Sequence, residues 1–398
     1  MSQKPFIHKL TLRNFRSIRN ETVTFANPLF LVGRNGSGKS NFVDALGFLA
    51  DCMITPLQAV IEQWGGLGWI CHLQTPKASP YIHFQIDFQL DAQRVQHGVY
   101  AFALRITEER GFVVDFEHCT ILDDGGNRIW FNRKESEFTT NIPGIQPSLD
   151  SQALAMPLLG GIQDLYPLYQ SLAAMRIYQI KQELIGGIQE QNSSPFLRND
   201  GSNSNSVLVR LLRRKNGGFF RVGELLQSVV PGVVPIEPTF SNGQSVLFFE
   251  QNWPDSKAVL EASAMSSGTL YALGLIIAAI QDPAPAIIAI EEPELNIHPG
   301  ALDAIADIIN IAAERTQVII TTHSPDLIDA KWIQPENLRV VEWENGATHI
   351  SELGEAPVKA LQQHLMGAGE LLRANALDAA PFPPASEDTA DLFEKDLA

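Results

Sequence analysis

Eight residues from Gly33 to Ser40, "GRNGSGKS", fill the pattern G-x-x-x-x-G-K-[ST] completely. Glycines at this spacing let successive backbone N–H groups curl around phosphate oxygens, and a helix opening directly after them adds partial positive charge. Gly33, Arg34, Asn35, Gly36, Ser37, Gly38, Lys39, Ser40 and Asn41 therefore read as a cradle for a nucleoside triphosphate, with ATP the expected ligand. Lys39 would reach the β- and γ-phosphates, and Ser40 would ligate Mg2+. The bland alternative is a glycine-rich turn with an incidental lysine. Context weighs against it, because the buried-strand run "PLFLVG" precedes the loop and an amphipathic helical run follows.

A second apolar run, "AIIAIEE", ends in two adjacent carboxylates, Glu291 and Glu292. Two acids side by side at the end of a buried strand repel each other unless a cation or a ligand sits there. They are either the solvated edge of a loop or a delivered pair. With a phosphate loop upstream, the pair divides into roles: Glu291 orients a metal-bound water, and Glu292 polarises the attacking water. A third apolar run, "QVIITTHS", ends at His323. Ligands gather at the carboxyl ends of parallel strands, so His323 is placed to hydrogen-bond a γ-phosphate, although a histidine at a strand end can be purely structural. The turn Ser266-Ser267-Gly268-Thr269 opens the long apolar run "LYALGLIIAAI"; its hydroxyls are helix caps, or an anion site with no anion of its own.

These residues need a scaffold that brings strand ends together. "FIHKLTLRNFRSI", "YIHFQIDFQL" and "GVYAFALRI" alternate apolar and polar residues, as an antiparallel sheet does, and "FVVDFEHCTILDDGGNRIWFN" reads as a hairpin turning at "DDGGN". Residues 141–235 have a helical texture broken by polar joints and read as an inserted, mostly helical lobe. Strand–helix alternation then runs through about Val341. The expected fold is an α/β P-loop head, a mixed sheet with helices and an antiparallel β subdomain. The expected division is residues 1–140, the lobe 141–235, residues 236–365, and a tail 366–398, expected to be disordered from about 380, where it turns Pro- and acid-rich.

At 398 residues, with 45% hydrophobic and 19% charged side chains, the chain can bury a large core. Its net charge of −16 argues against a surface that coats nucleic acid nonspecifically, without excluding one basic patch. Cys52, Cys71 and Cys119 are odd in number and widely spaced, which supports neither a disulfide framework nor a zinc site and suits a reducing cytosol. "MSQKPFIHKL" has no apolar h-region, and "LYALGLIIAAIQDPAPAIIAI" is too broken for a membrane span, so a cytoplasmic protein is expected.

Taken together, "LRNFRSI…FLVGRNGSGKSN", "SSGTLYALGLI", "IEEPELNIHP" and "TTHSPDLID" resemble the ABC-type ATPase heads of the RecF, SMC and OLD-like prokaryotic ATPases. The likeness extends to "RNDGSNSNSVLVRLL" and, more faintly, to "MGAGELLRANAL". The resemblance implies a head-to-head dimer sandwiching two ATPs. Ser266, Ser267 and Gly268 of one copy would close on the γ-phosphate held by the other, and Pro293 to Pro299 would lie at that interface. It implies an ATP-driven switch of a nucleic-acid-linked process, in antiphage defence or DNA repair, with an effector or nuclease subunit as partner. The chain departs from the wider pattern in its S-S-G-T turn and in Glu291, where Asp is usual. The Q-loop glutamine of such heads has weak candidates in Gln63, Gln85 and Gln89. OLD-type nucleases carry a TOPRIM-type domain after the head; too few residues follow "TTHS" for one, so nuclease activity is expected on a partner. A clamp that binds nucleotide without turning it over is the alternative from another class, and a membrane-transporter subunit is disfavoured by the turn and the lobe. The basic run "RLLRRKNGGFFR", with Arg210, Arg213, Arg214, Lys215 and Arg221, is either a solvated helix face or a DNA contact. Arg16, with Lys9 and Arg13, either extends a basic surface or braces the phosphate loop.

Overall fold

The computed structural model describes residues 6–72, 81–91, 95–107, 111–123, 125–214, 217–253 and 256–381. A six-stranded sheet forms its centre, in the spatial order Ala347–Ser351, Leu338–Glu344, Leu29–Val32, Gln317–Thr322, Ile287–Glu291 and Arg176–Tyr178. Neighbouring strands run parallel, except for the antiparallel edge strand Ala347–Ser351. Strands covered on both faces can be apolar throughout, which explains why "LFLV" and "IIAI" show no alternation. Leu29, Leu31, Ala289 and Ile319 face one core; Phe30, Val32, Ile288, Ile290, Val318 and Ile320 face the other.

The first core lies between this sheet and a seven-stranded antiparallel sheet. The helix Lys39–Ile54 runs through it, burying Phe42, Leu46, Phe48 and Leu49. Phe48 stacks on Phe84 at 5.6 Å between ring centroids, and Phe84 on Phe102 at 5.1 Å. The alternating strands Tyr81–Asp91 and Val95–Ile106 thus supply the aromatic floor beneath the helix that starts at the phosphate loop. On the other face, the helices Ser267–Ile280 and Leu302–Ala313 cover the sheet. Ser267–Ile280 is buried nearly all round, so its long apolar run belongs to the interior. No helix among the described residues is long and apolar enough to cross a membrane, and Cys52, Cys71 and Cys119 are free thiols.

The lobe is smaller and less helical than its sequence suggests. Leu154, Met156, Leu159, Leu165, Leu168 and Leu172 pack into the first core beside the helix Lys39–Ile54, and Arg176–Tyr178 is an edge strand of the central sheet. Residues up to Tyr178 therefore belong to the head. The lobe proper contains the helices Gln182–Gly186, Ser204–Arg213 and Gly218–Val229, together with two three-stranded sheets. The strand Arg176–Tyr178 is short and sits among helical segments, which gave no period-two signal to read. The acidic tail beyond residue 381 lies outside the described residues.

Candidate nucleotide site

The parallel register places the expected site residues along one edge of the central sheet. Val32 pairs with Thr322, so Gly33 and His323 leave adjacent strands at the same level. Glu291 pairs with Thr321 in the next strand. Ile290 pairs with Tyr178, which brings Gln179 level with Glu291.

Gly36 and Gly38 take φ values of 79° and 103°, in the left-handed region that glycine tolerates. Space adds a second constraint at Gly38, where a Cβ would lie 1.8 Å from Thr348 Oγ1. That hydroxyl donates to the carbonyl of Ser37 at 3.0 Å and meets Ser17 Oγ at 2.7 Å, tying the loop to the edge strand of the sheet. The helix from Lys39 has no side-chain cap, so its first N–H groups are left for a ligand. Lys39 is 5% exposed and donates to its own loop, to Gly33 O at 2.8 Å and Arg34 O at 3.0 Å. Burial lowers its pKa, opposed by the charges of Glu292, Glu294 and Glu291. Ser40 is exposed at the loop's rim, and Asn41 donates to Ser17 Oγ at 2.6 Å.

Arg16 braces this loop from outside. It pairs with Asp44 on the loop's helix and lies 5.1 Å over the Trp64 ring. Burial raises the Asp44 pKa to about 6; Arg16 opposes the rise and Glu291 adds to it. Lys9 pairs instead with Asp87 at 2.6 Å, and Arg13 is buried, so these two do not extend an exposed basic surface with Arg16. Beside Asn41, a cavity of about 1090 Å3 opens among Arg16, Trp64, Trp69, His72 and Trp343.

Glu292 sits at φ 45°, an uncommon conformation for a residue with a side chain. Its N–H donates to Thr321 O at 2.9 Å, which holds it there. Its carboxylate lies 3.4 Å from His323 Nδ1. Glu291 accepts from Gln179 Nε2 at 2.7 Å. The candidates Gln85 and Gln89 are engaged elsewhere, with Asp87 and His8, and Gln63 lines the cavity beside Asn41. The sequence carries no signal for Gln179, because the strand it follows is three residues long. Glu294 was also passed over. It accepts from Thr322 Oγ1 at 2.6 Å and from the His323 N–H at 3.2 Å. Only the recurrence of an acid just after "EEP" could have flagged it.

Ser266 caps the helix Ser267–Ile280, accepting from the Thr269 N–H at 3.1 Å. Gly268 lies against the loop after the acidic strand, and a Cβ there would sit 2.6 Å from Asn296 O. Tyr271 on this helix donates to Glu292 O at 3.4 Å, and burial, with Glu294, Glu292 and Glu291 adding, raises its pKa. Gly268 of the Ser266–Ser267–Gly268 turn is thus packed onto the Pro293–Pro299 loop.

The basic run is placed apart from these strand ends. Arg210 donates to the carbonyls of Ser194 and Pro195, Arg214 pairs with Asp282, and Arg221 pairs with Glu224 at 3.1 Å. Arg213 is exposed, and Lys215 lies outside the described residues.

Solved structures share this fold. An SMC head bound to the C-terminal winged-helix domain of ScpA aligns over 89% of this chain and 99% of its own, with TM-score 0.51 and 18% identity. A Pyrococcus furiosus SMC head with an extended coiled coil, bound to the C-terminal domain of ScpA, aligns over 91% of this chain and 100% of its own, with TM-score 0.51 and 16% identity. The fold is that of an SMC head. Two family models add sequence to fold. One, "AAA domain, putative AbiEii toxin, Type IV TA system", matches residues 171–329, and a second AAA domain model matches residues 9–53. Between them these spans hold every strand end of the site. The DNA replication and repair proteins RecF of Rickettsia felis and Rickettsia prowazekii are each 48% identical over 42 residues, 10% of this chain. The chain spans 12% of the length of those RecF relatives. In motifs it is similar to RecF, and in fold to SMC heads.

Proposed function

We propose that the head binds ATP with Mg2+ and hydrolyses it, and that two copies close on two ATPs to work as a conformational switch. One observation carries this reading: the register that aligns Gly33, His323, Glu291 and Gln179 at one edge of a parallel sheet. The donor set fits the ligands. A buried lysine held on its own loop carbonyls faces three carboxylates. Glycines at positive φ shape the loop, and the helix behind it is uncapped.

Ser40 and Glu291, with Gln179 orienting Glu291 from behind, would hold Mg2+, which supplies charge neutralisation on the phosphates when bound. Lys39 exchanges Gly33 O and Arg34 O for phosphate oxygens. Glu292 orients the attacking water and takes its proton, while His323 donates to the γ-phosphate. The cavity beside Asn41 takes the nucleoside, with Trp343 and Trp69 offering apolar faces. Ser266, Ser267 and Gly268 of the second copy close the sandwich, their contact with the Pro293–Pro299 loop linking closure to Glu292.

The switch acts in a nucleic-acid-linked process, antiphage defence or DNA repair, through an effector on a separate chain. The similar proteins support that setting: a DNA replication and repair protein, an AAA domain family described with a Type IV TA system, and an SMC head bound to ScpA. The test is ATP hydrolysis by the purified protein, alone and with DNA, against Lys39→Ala. Turnover above the variant supports the enzyme. Binding of ATP with turnover equal to the variant would leave a nucleotide clamp instead.

A further inference from the structure

His323 is bracketed by two carboxylates on one ring nitrogen. Nδ1 lies 3.4 Å from Glu292 Oε1 and 3.6 Å from Glu294 Oε1. The two acids are held differently. The Glu292 side chain is 29% exposed at the rim of the site. The Glu294 side chain is 8% exposed, and its Oε1 is fixed by the Thr322 hydroxyl at 2.6 Å and the His323 N–H at 3.2 Å. Its other oxygen, Oε2, is buried and has no hydrogen-bond partner among the described residues. A buried carboxylate oxygen without a partner is costly and calls for an explanation.

We propose that Glu294 is the positioning residue for His323, taking the imidazole Nδ1–H so that Glu292 is free for water. One N–H serves one strong acceptor at a time. While Nδ1–H points at Glu292, that carboxylate is occupied. When it points at Glu294, Nε2 is presented outward in a fixed tautomer, as a carboxylate behind a histidine arranges. The anchors of Glu294 are the residues that carry the histidine, Thr322 and the His323 backbone, so acid and imidazole move as one unit.

The inference rests on the ATPase reading for its kinetic arm, and a second arm in the nucleotide-free protein is independent of it. Glu294→Gln preserves shape and removes the charge; Thr322→Val leaves the charge in place and removes the hydroxyl that anchors the acid. Both should lower kcat by about 10–100-fold, the size typical of losing a group behind a functional histidine. KM for ATP should stay within about twofold, because binding is not what Glu294 supports. In the nucleotide-free protein, ring 15N spectra, with His323 assigned through His323→Gln, should show Nδ1 protonated in the wild type and a changed tautomer mixture in both variants. Wild-type kcat together with an unchanged His323 ring signal in Glu294→Gln would overturn the proposal. A wild type without hydrolysis would remove the ATPase reading, and the ring spectra would still decide the pairing.

Discussion

Gln179 donates to Glu291 at 2.7 Å across a separation of 112 residues. The contact joins the end of an edge strand to the end of its neighbour, and it sets the orientation of the acid expected to face the metal.

Removing that contact should be read in metal dependence. Gln179→Ala is expected to raise the Mg2+ concentration needed for half-maximal ATPase activity by about tenfold, the lower end of what an outer partner of a metal ligand contributes. Titration of turnover with Mg2+ checks it. An unchanged midpoint would mean that Gln179 only closes the sheet edge.

Glu292→Gln keeps the shape of the site and removes its base. Turnover should fall by about 10²–10⁴-fold while ATP binding is retained. The ATP-bound dimer should then accumulate, visible as a shift in size-exclusion chromatography run with ATP. A monomer hydrolysing at the wild-type rate would count against both the role of Glu292 and the closing dimer.

Asp44 makes stability depend on pH. Burial raises its pKa from 3.8 to about 6, although Arg16 opposes the rise. The folded carboxyl therefore holds a proton that the unfolded chain has already lost. Its stabilising contribution is complete below 3.8, declines as pH rises, and is lost above about 6. Urea unfolding of wild type and Asp44→Asn across this window should give curves that diverge as pH rises, the wild type losing more. Parallel curves would show that Asp44 does not titrate there.

The segment after Gly367 is clamped to the helix that follows His323. Gly369 N–H donates to Asp329 at 3.0 Å, and Arg373 pairs with Asp326. A Cβ on Gly369 would lie 2.2 Å from Pro325 O. Gly369→Ala should therefore cost about 1–3 kcal/mol by overpacking. Arg373→Ala, at an exposed pair, should cost about 0–1 kcal/mol. Thermal unfolding of the two variants tests the order.

If the basic helix touches DNA, the exposed arginine carries the contact. Arg213→Glu should weaken salt-sensitive DNA binding and flatten its salt dependence. Arg210→Ala should act mainly on stability, since Arg210 holds two carbonyls of the neighbouring loop. Equal DNA binding by wild type and Arg213→Glu would move any contact elsewhere.

The sequence by itself determined the phosphate loop, the acidic strand and the histidine strand. Each is a local pattern, an apolar run ending in a chemically distinct residue, and the glycines at Gly36 and Gly38 are required by backbone geometry at those positions. It also placed the cap at Ser266 and the antiparallel strands, whose alternation comes from one face of a sheet meeting a core. Tertiary structure alone decided which distant residues share the sheet edge. Gln179 reaches Glu291 only because a three-residue strand joins the parallel register, and so short a strand has no period to detect. Glu294 became a partner of His323 only when the turn after Glu292 folded back onto Thr322. The basic run gained its meaning in the same way, since Asp282 and Glu224 and the carbonyls of Ser194 and Pro195 neutralise or hold arginines that the sequence shows only as charges. Local rules fix what a residue can do; the register of long-range pairing fixes which partner it does it with.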